Sequence, residues 1–304
     1  MKENIIITGA YGQDGLILTQ ILKKFSYNII GIVKKLNKKR GLKNINYISL
    51  NLNKKSEIQS LIKKKNIKSI VHFASNNEPH INKLNLDYLK YYKKNFTITK
   101  NLLNSIIKTD KEIQFIFAGS SQMLKSNKKN RVNINSEYQK SKSNYINYKI
   151  DSEKLLLKLK KKFKLKATSV IFFNHDSIYR PENFLIKRII NYTRDQNINE
   201  LMKLYKLNIK GDFSHADDIN YAIYLIIKKS NLNLNRIILS SNKVTKINNF
   251  IIKVIKKFHL KISFKNVKIL KNNTYKIGNN KLAIRKLKWK PKKNLDNIIN
   301  EFNQ

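Results

Sequence analysis

The chain has 304 residues, of which 41% are apolar, so it is long enough to bury a full core in one large domain or two closely packed ones. It contains no cysteine, which excludes disulfides, thiolate catalysis and cysteine-based metal sites. The formal net charge of +44 would suit a polyanion, but the lysines are spread along the chain without any nucleic-acid-binding motif. We therefore expect no nucleic acid partner.

The start of the sequence and its longest apolar runs bear on localisation. Residues 1–4 lead directly into the first apolar run, which leaves no room for a signal peptide. No apolar run approaches the roughly 20 residues that span a bilayer. We therefore expect a cytoplasmic protein without a membrane partner.

The first predicted elements are a strand over Ile5-Ile6-Ile7, a glycine-rich turn, and a helix from Leu16 to Phe25. The turn reads Thr8-Gly9-Ala10-Tyr11-Gly12-Gln13-Asp14-Gly15. In a dinucleotide-binding turn, one glycine permits the bend, one lets the backbone approach the pyrophosphate, and one lets the helix pack on the strand. The pyrophosphate then lies at a helix N-terminus, which attracts anions. The pattern predicts a dinucleotide site, with a purely structural turn as the alternative.

A second predicted strand, 28–33, ends in Lys34 and Lys35. In a doubly wound sheet this strand end faces the adenosine ribose, where an acidic residue suits NAD and a cation suits the 2′-phosphate of NADP. Lys34 therefore favours NADP. The alternative is a solvated lysine in a lysine-rich protein.

Three further strands are predicted over 46–52, 69–75 and 114–119, with helices between them. Alternating strands and helices predict a doubly wound parallel sheet, in which ligands bind beyond the carboxyl ends of the strands. We expect cofactor contacts at the ends of the third and fourth strands, from Asn51, Leu52, Ala74 and Ser75.

The second half of the chain departs from this alternation. We predict a loop over 125–143, then a helix, then a sixth strand over 168–173. Beyond this strand the alternation of strands and helices weakens. We predict an α/β protein with a Rossmann-type cofactor domain over residues 1–173 and a smaller α/β substrate part over 174–304. Residues 210–240 are expected to pack back on the larger domain.

A Tyr-x-x-x-Lys spacing places a phenol and an ammonium on one helix face, where the cation favours the phenolate needed for proton transfer. The chain offers this spacing as Tyr138/Lys142 and as Tyr145/Lys149. We select Tyr145 and Lys149 because they follow Ser120, at the end of the fifth strand, with room for a connecting loop.

The histidines are interpreted by their positions. His72, inside a strand, is predicted to be a core residue, whereas His175, after the sixth strand, is predicted to support the site. No His, Asp or Glu group has convincing metal-ligand spacing, so we predict no metal.

Several stretches together resemble one family, the extended short-chain dehydrogenases/reductases, and within it the GDP-mannose 4,6-dehydratases. The matching stretches are Thr8 to Gly15, Gly31 to Lys35, Asn174-His175-Asp176-Ser177 with Asn183-Phe184, Asp212 to Asp218, and Leu287-Lys288-Trp289-Lys290-Pro291. This resemblance runs from about residue 4 to 300 of the chain.

The resemblance implies a mechanism and a set of contacts. NADP would take a hydride from C4 of a nucleotide-activated hexose and return it to C6 after loss of water, with Tyr145, Ser120 and Lys149 serving C4. The implied cofactor contacts are Gly9, Gly12, Gln13, Asp14, Gly15, Lys34, Tyr145, Lys149, His175 and Arg180. The expected substrate contacts are Asn174 and Asn183, from the matching stretches, and Lys187 and Arg188, cations that could neutralise a diphosphate. Members of the family usually associate, so a homo-oligomer is expected.

The sequence also departs from the family pattern. Gln122 occupies the catalytic position of the glutamate that removes the C5 proton, and an amide cannot act as that base. Gly211 replaces a family arginine, and Asn76-Asn77 replace a Ser-His pair. The alternatives are therefore a 4-ketoreductase or C4 epimerase, and a catalytically impaired dinucleotide-binding homologue.

Overall fold

The computed structural model describes residues 3–37, 39–75, 86–272 and 274–302. Up to residue 172 the elements are β1 Asn4–Thr8, α1 Gln13–Lys24, β2 Asn28–Val33, β3 Asn46–Ser49, α2 Lys55–Lys64, β4 Ile67–His72, α3 Leu86–Thr109, β5 Gln114–Ser120, β6 Arg131–Val132, α4 Asn144–Phe163 and β7 Ala167–Phe172. A short 3₁₀ turn, Ser121–Met123, follows β5.

After residue 173 the elements are shorter. They are β8 Asn174–Asp176, α5 Leu185–Arg194, α6 Ile198–Lys206, β9 Lys210–Gly211, β10 Phe213–His215, α7 Ala216–Lys228, β11 Arg236–Leu239, β12 Thr245–Lys246, α8 Ile247–Lys257, β13 Ile277–Gly278, α9 Lys281–Leu287 and α10 Leu295–Glu301. No helix in the described part of the chain combines the length and apolar character that a membrane crossing needs.

Seven strands form one sheet in the order β11-β7-β5-β4-β1-β2-β3. The pairs from β3 across to β7 are parallel. The order runs outward in both directions from the β1–β4 pair, so the carboxyl ends of these two strands mark the switch point where doubly wound sheets bind their ligands. The predicted doubly wound fold is confirmed.

The strands read as apolar runs because helices cover the sheet. Ile5 and Ile7 in β1 are fully buried, as parallel strands flanked by helices require. One core cluster packs α2 and α3 on the sheet, with Ile58 and Leu102 against β-strand residues such as Phe115.

The chain divides into two compact units. The first unit comprises Met1–Lys125, Ile134–Phe172 and Asn220–Ile237, and the second comprises Ser126–Asn133, Phe173–Ile219 and Ile238–Gln304. The second unit has its own apolar cluster, built from α5, α6, α8 and α10 around residues such as Ile189, Ile251 and Ile298.

The third strand is shorter than predicted, ending at Ser49 rather than at residue 52. The Asn51 side chain accepts the backbone N–H of Asn53 at 3.1 Å, and the Lys54 N–H donates to the Asn51 carbonyl oxygen at 2.8 Å. This turn replaces the strand because a short amide side chain competes for backbone donors.

Candidate active site

The glycine turn leaves no space for side chains at two positions. Gly9 has a φ of 72°, and a Cβ there would lie 2.9 Å from the backbone nitrogen of Ala74. A Cβ at Gly15 would lie 2.5 Å from the Gly9 carbonyl oxygen. The first glycine is needed for the left-handed backbone and the second for the close approach of α1 to the turn.

Helix α1 begins at Gln13, inside the glycine-rich stretch and three residues before the predicted start at Leu16. Gly12 is its N-cap and supplies no side-chain cap, so backbone N–H groups present the positive end of the helix. Asp14 lies in the first turn and its Oδ1 accepts from Asn220 Nδ2 at 2.8 Å. Gln13 is buried. The start of α1 therefore has the geometry that favours a phosphate.

A buried hydrogen-bond chain fixes the switch point between β1 and β4. Thr8 Oγ1 accepts the Ala74 N–H at 3.1 Å and lies 2.8 Å from His72 Nδ1. His72 Nε2 lies 3.1 Å from Thr99 Oγ1. Burial, followed by the charge of Lys149, lowers the pKa of His72 to about 3. His72 is thus a neutral core residue, and Thr8, His72 and Thr99 hold the two strand ends together.

The end of β2 presents cations. Lys34 and Lys35 are exposed, while the Lys34 carbonyl accepts from Ser49 Oγ at 3.0 Å. Tyr11, from the glycine turn, accepts the Asn37 N–H at 3.2 Å through its hydroxyl. The backbone beside the expected ribose position is therefore anchored, and the Lys34 ammonium is left in solvent.

The remaining expected cofactor contacts of the first unit differ in exposure. Asn51 is exposed, whereas the side chain of Leu52 is 8% exposed and belongs to the core cluster. A contact from Leu52 would have to use its backbone. Ala74 and Ser75 are half-buried just after β4, next to the glycine turn.

Ser120 ends β5 and caps the 3₁₀ turn that follows. Its Oγ accepts the Gln122 N–H at 3.2 Å, and its side chain is largely buried. Gln122 is exposed. The turn keeps the Ser120 hydroxyl at the carboxyl edge of the sheet, where the sequence predicts it.

Tyr145 and Lys149 lie one turn apart on α4. Tyr145 is half-buried, whereas Lys149 is 6% exposed and its Nζ donates to the Ala118 carbonyl oxygen at 2.5 Å. Burial lowers the pKa of Lys149 to about 7. The Lys149 Nζ lies 5.1 Å from the ring centroid of Phe117 and 5.4 Å from that of Tyr148. The two π faces partly replace the water that the ammonium has lost.

Tyr148 is a residue that sequence reasoning missed. It is almost fully buried, and its hydroxyl contacts Ser75 Oγ after β4. Its ring packs edge-on against Tyr145 at 5.7 Å and against Tyr91 at 6.0 Å. Its position directly before Lys149 was the one available signal, but many aromatic residues precede lysines in this chain.

The other Tyr-x-x-x-Lys pair has a structural role. Tyr138 precedes α4, and its hydroxyl donates to Glu153 Oε2 at 2.7 Å. Burial and the Glu153 charge raise the pKa of Tyr138. Glu153 is fully buried and receives the Arg236 guanidinium at 2.6–3.0 Å. A phenol that already donates to a carboxylate is a poor base, which favours Tyr145 as the proton acceptor.

The second unit carries the Asn-His-Asp segment. Asn174 is exposed, while His175 is buried with Nδ1 2.7 Å from the Phe173 carbonyl oxygen, so Nδ1 carries the proton. Arg180 Nε lies 3.1 Å from Asp176 Oδ1, and its guanidinium carbon lies 3.8 Å from the Phe184 ring centroid. The Arg180 side chain is therefore held in place by an ion pair and a stacked ring.

The expected substrate cations on α5 have partners within the second unit. The Lys187 Nζ lies 4.2 Å from the ring centroid of Phe302. Arg188 Nε donates to the Tyr192 hydroxyl at 3.2 Å, and its Nη2 lies 4.0 Å from Glu200. Asn183 is exposed before the helix. Binding of a diphosphate by Lys187 or Arg188 would compete with these contacts.

One group of described residues has metal-ligand character. Ligand atoms of His215, Asp217 and Glu301 lie within 4.8 Å of one another. The Lys293 ammonium, however, lies 2.6 Å from Asp217 and 3.0 Å from Glu301. Because this ammonium already pairs with both carboxylates, the group is better explained as an ion-pair cluster than as a metal centre.

Comparison with known proteins agrees with this architecture. The sheet order and glycine turn define a doubly wound α/β protein with a dinucleotide-type turn. The sequence profile of the NAD dependent epimerase/dehydratase family matches residues 5–239. The chain therefore belongs to that family of enzymes.

Individual relatives are distant. A GDP-mannose 4,6 dehydratase of Dictyostelium discoideum is 24% identical over 246 residues, covering 74% of this chain and 67% of the relative. The dTDP-glucose 4,6-dehydratase of Bacillus anthracis, solved with NAD, has a TM-score of 0.81 at 16% identity, covering 99% of this chain and 96% of that enzyme. The UDP-glucuronic acid 4-epimerase of Bacillus cereus, also solved with NAD, has a TM-score of 0.78 at 18% identity. That match covers 97% of this chain and 96% of the epimerase. At these identities the solved structures establish the fold.

Proposed function

We propose that this chain modifies a nucleotide-activated hexose, and that it acts as a GDP-mannose 4,6-dehydratase with tightly held NADP. The observation that carries this proposal is the pair Tyr145 and Lys149 on α4. The buried Lys149 side chain donates to the Ala118 carbonyl oxygen, two residues before the end of β5. The Dictyostelium relative supports the choice of substrate.

The residues around the glycine turn fit a dinucleotide. A Cβ at Gly9 or Gly15 would occupy space against backbone atoms, and the N-terminus of α1 offers N–H groups toward a phosphate. When bound, NADP would accept a hydride from C4 of the hexose and donate one to C6.

The protein's own part at C4 is proton transfer and orientation. Tyr145 would accept the proton of the C4 hydroxyl, and the Ser120 hydroxyl would hydrogen-bond the same oxygen. The Lys149 ammonium would favour the tyrosinate and hold the nicotinamide ribose. With a pKa near 7, Lys149 changes charge in the physiological range, so its help to Tyr145 is sensitive to pH.

The choice of NADP rests on Lys34. An exposed ammonium on an anchored backbone at the end of β2 suits a 2′-phosphate. We expect NADPH to bind at least 10-fold more tightly than NADH, as measured by nicotinamide fluorescence. The variant Lys34→Asp should reverse this order, and an unchanged order would remove Lys34 as the selector.

A second candidate function is a 4-ketoreductase or C4 epimerase, and Gln122 favours it. A carboxamide cannot take the C5 proton, so elimination of water would lack its usual base. Reduction or epimerisation at C4 needs only hydride transfer with the cofactor and proton transfer by Tyr145 at the C4 oxygen.

Incubation of the purified protein with GDP-mannose and NADP tests the dehydratase. The expected product is the 4-keto-6-deoxy sugar, identified by mass spectrometry. If wild-type protein yields none while Gln122→Glu does, elimination is not the natural reaction. In that case, turnover of 4-keto or C4-epimeric sugar nucleotides by the wild type would establish the second candidate.

A non-catalytic homologue predicts a different result. It would bind dinucleotide but show no turnover on any of these sugars. If turnover is present, Tyr145→Phe should lower kcat about 100-fold or more, because it removes the acid–base group.

The resemblance also supports a cytoplasmic homo-oligomer. The molar mass in solution measures the oligomeric state directly.

A further inference from the structure

A groove in the first unit lies away from every residue discussed above as a site. It is formed by residues 157–166, at the end of α4 and before β7, and by the loop 230–235 before β11. We call it the lysine groove because Lys160, Lys161, Lys164 and Lys166 line it. Its volume is about 760 Å³, within the range of roughly 300–1,000 Å³ typical of small-molecule sites.

The lysine groove lies at the opposite edge of the sheet from Ser120. Its residues Leu165 and Lys166 immediately precede β7, whereas Ser120 is the last residue of β5, which runs parallel to β7. A ligand in the groove would therefore not occupy the carboxyl edge, where the dinucleotide turn lies.

One lysine of the groove, Lys160, hydrogen-bonds backbone carbonyl oxygens on both sides of it. Lys160 Nζ donates to the carbonyl oxygens of Ala167 and Leu234 at 2.8 Å each. Thr168 Oγ1 donates to the same Leu234 oxygen at 3.0 Å. These bonds join the end of α4, the start of β7 and the loop, so the walls of the groove are held at a fixed separation.

The charged side chains that line the described part of the groove are all lysines. No aspartate or glutamate is among the described residues that line it. Lys161 and Lys164 are exposed, and Lys166 pairs at 2.8 Å with Glu112, whose side chain is 77% exposed. A solvent-exposed pair of this kind is worth little, so an incoming anion can compete for Lys166.

The lining is not purely cationic. Leu157 and Leu232 offer half-buried apolar surface, and Asn231, Asn233 and Asn235 offer exposed carboxamides. Ammonium groups recognise phosphates, apolar surface accepts a flat ring, and carboxamides can pair with the polar edge of a base. We propose that the lysine groove is a second ligand site and that it binds a nucleotide polyphosphate.

A purely structural account of the same lysines exists. Cations in the last turn of a helix are favourable because they complement the negative end of its dipole. That account predicts that removing Lys161 and Lys164 changes stability without changing ligand binding. Helix α2 provides a matched control, because its last turn carries the exposed pair Lys63 and Lys64.

Calorimetric titration with ATP at low salt is the test, using the full chain saturated with NADPH. We expect the double variant Lys161→Gln/Lys164→Gln to bind ATP at least 10-fold more weakly than wild type. The control Lys63→Gln/Lys64→Gln should change ATP affinity less than 2-fold. Neither should change NADPH binding by nicotinamide fluorescence, and circular dichroism should verify that both variants fold.

Four results would overturn the proposal. The first is that ATP does not bind the NADPH-saturated protein. The second is an equal loss of ATP affinity in both double variants, which would make the effect one of diffuse charge. The third is unchanged ATP affinity in Lys161→Gln/Lys164→Gln, as the dipole account requires. The fourth is tripolyphosphate binding as tightly as ATP, since the leucines and carboxamides would then recognise no base.

Discussion

At the scale of single residues, the chemistry of α4 is set by burial. Lys149 has lost its water and received a carbonyl oxygen and two aromatic rings, Phe117 and Tyr148. These partners stabilise an ammonium less than a carboxylate would, so the pKa of Lys149 falls to about 7. A pKa near 7 places both the charged and the neutral form of the Lys149 side chain within the physiological pH range.

The pKa shift of Lys149 makes stability depend on pH. Because the pKa of the folded state lies below that of the unfolded chain, the unfolded state binds more protons between about pH 7 and 10.5. This group therefore adds stability as pH rises through that window, about 4–5 kcal/mol if the full shift is expressed. Urea unfolding of the cofactor-free protein from pH 6 to 10 should show the rise, and Lys149→Met should flatten it. The control Lys158→Met, exposed on the same helix, should retain it.

Substituting Tyr148 and Tyr145 by phenylalanine should have different effects, the first on stability and the second on turnover. Tyr148→Phe removes the contact with Ser75 from a buried position and should cost about 1 kcal/mol in urea unfolding. Tyr145→Phe removes a hydroxyl from a half-buried side chain, so it should cost less stability than Tyr148→Phe while lowering any turnover about 100-fold or more. A Tyr148→Phe protein with normal stability would show that the Ser75 contact is not formed in solution.

At the scale of elements, the glycine turn depends on the distance between backbone atoms. Gly15→Ala would place a Cβ 2.5 Å from the Gly9 oxygen and 2.6 Å from Ala10 Cα, both backbone atoms that cannot rotate away. We expect a loss of about 1–3 kcal/mol in urea unfolding and at least 10-fold weaker dinucleotide binding. Gly12→Ala is the matched control for stability, because its nearest contact would be 3.2 Å. An equal loss of stability in both variants would contradict the steric account.

Glu153 joins α4 to β11 through a buried ion pair. Arg236→Met would leave the carboxylate of Glu153 without its guanidinium and should cost about 3–5 kcal/mol, measured by thermal or urea unfolding. The double variant Glu153→Gln/Arg236→Met removes both charges and should recover part of that loss. No recovery would mean that the packing of Arg236, and not its charge, stabilises the pair.

The glycine turn and the Tyr145/Lys149 pair could be predicted because each is a local pattern, fixed by the strand-turn-helix order and by helical periodicity. The partners of those residues could not. Asp14 meets Asn220 across 206 positions, and Glu153 meets Arg236 across 83. Such contacts depend on which strands become neighbours. The end of β3 was predicted wrongly because the turn at Asn51 depends on one side-chain hydrogen bond.

At the scale of the whole molecule, the net charge of +44 opposes compaction through self-repulsion. Salt screens these charges, since the Debye length falls from about 30 Å at 0.01 M to about 10 Å at 0.1 M. Thermal unfolding at these two sodium chloride concentrations should therefore show a Tm several degrees higher in the saltier buffer. An unchanged Tm would indicate that the charges are already balanced locally.

The division of the chain into units has a consequence for protein synthesis. The first unit is not complete when residue 172 leaves the ribosome, because residues 220–237 also belong to it. Until then, Glu153 lacks Arg236 and Asp14 lacks Asn220. The first unit therefore stays incomplete while the 47 residues 173–219 and then residues 220–237 are translated. A fragment ending at residue 173 would lack residues 220–237, and with them the partners of Glu153 and Asp14.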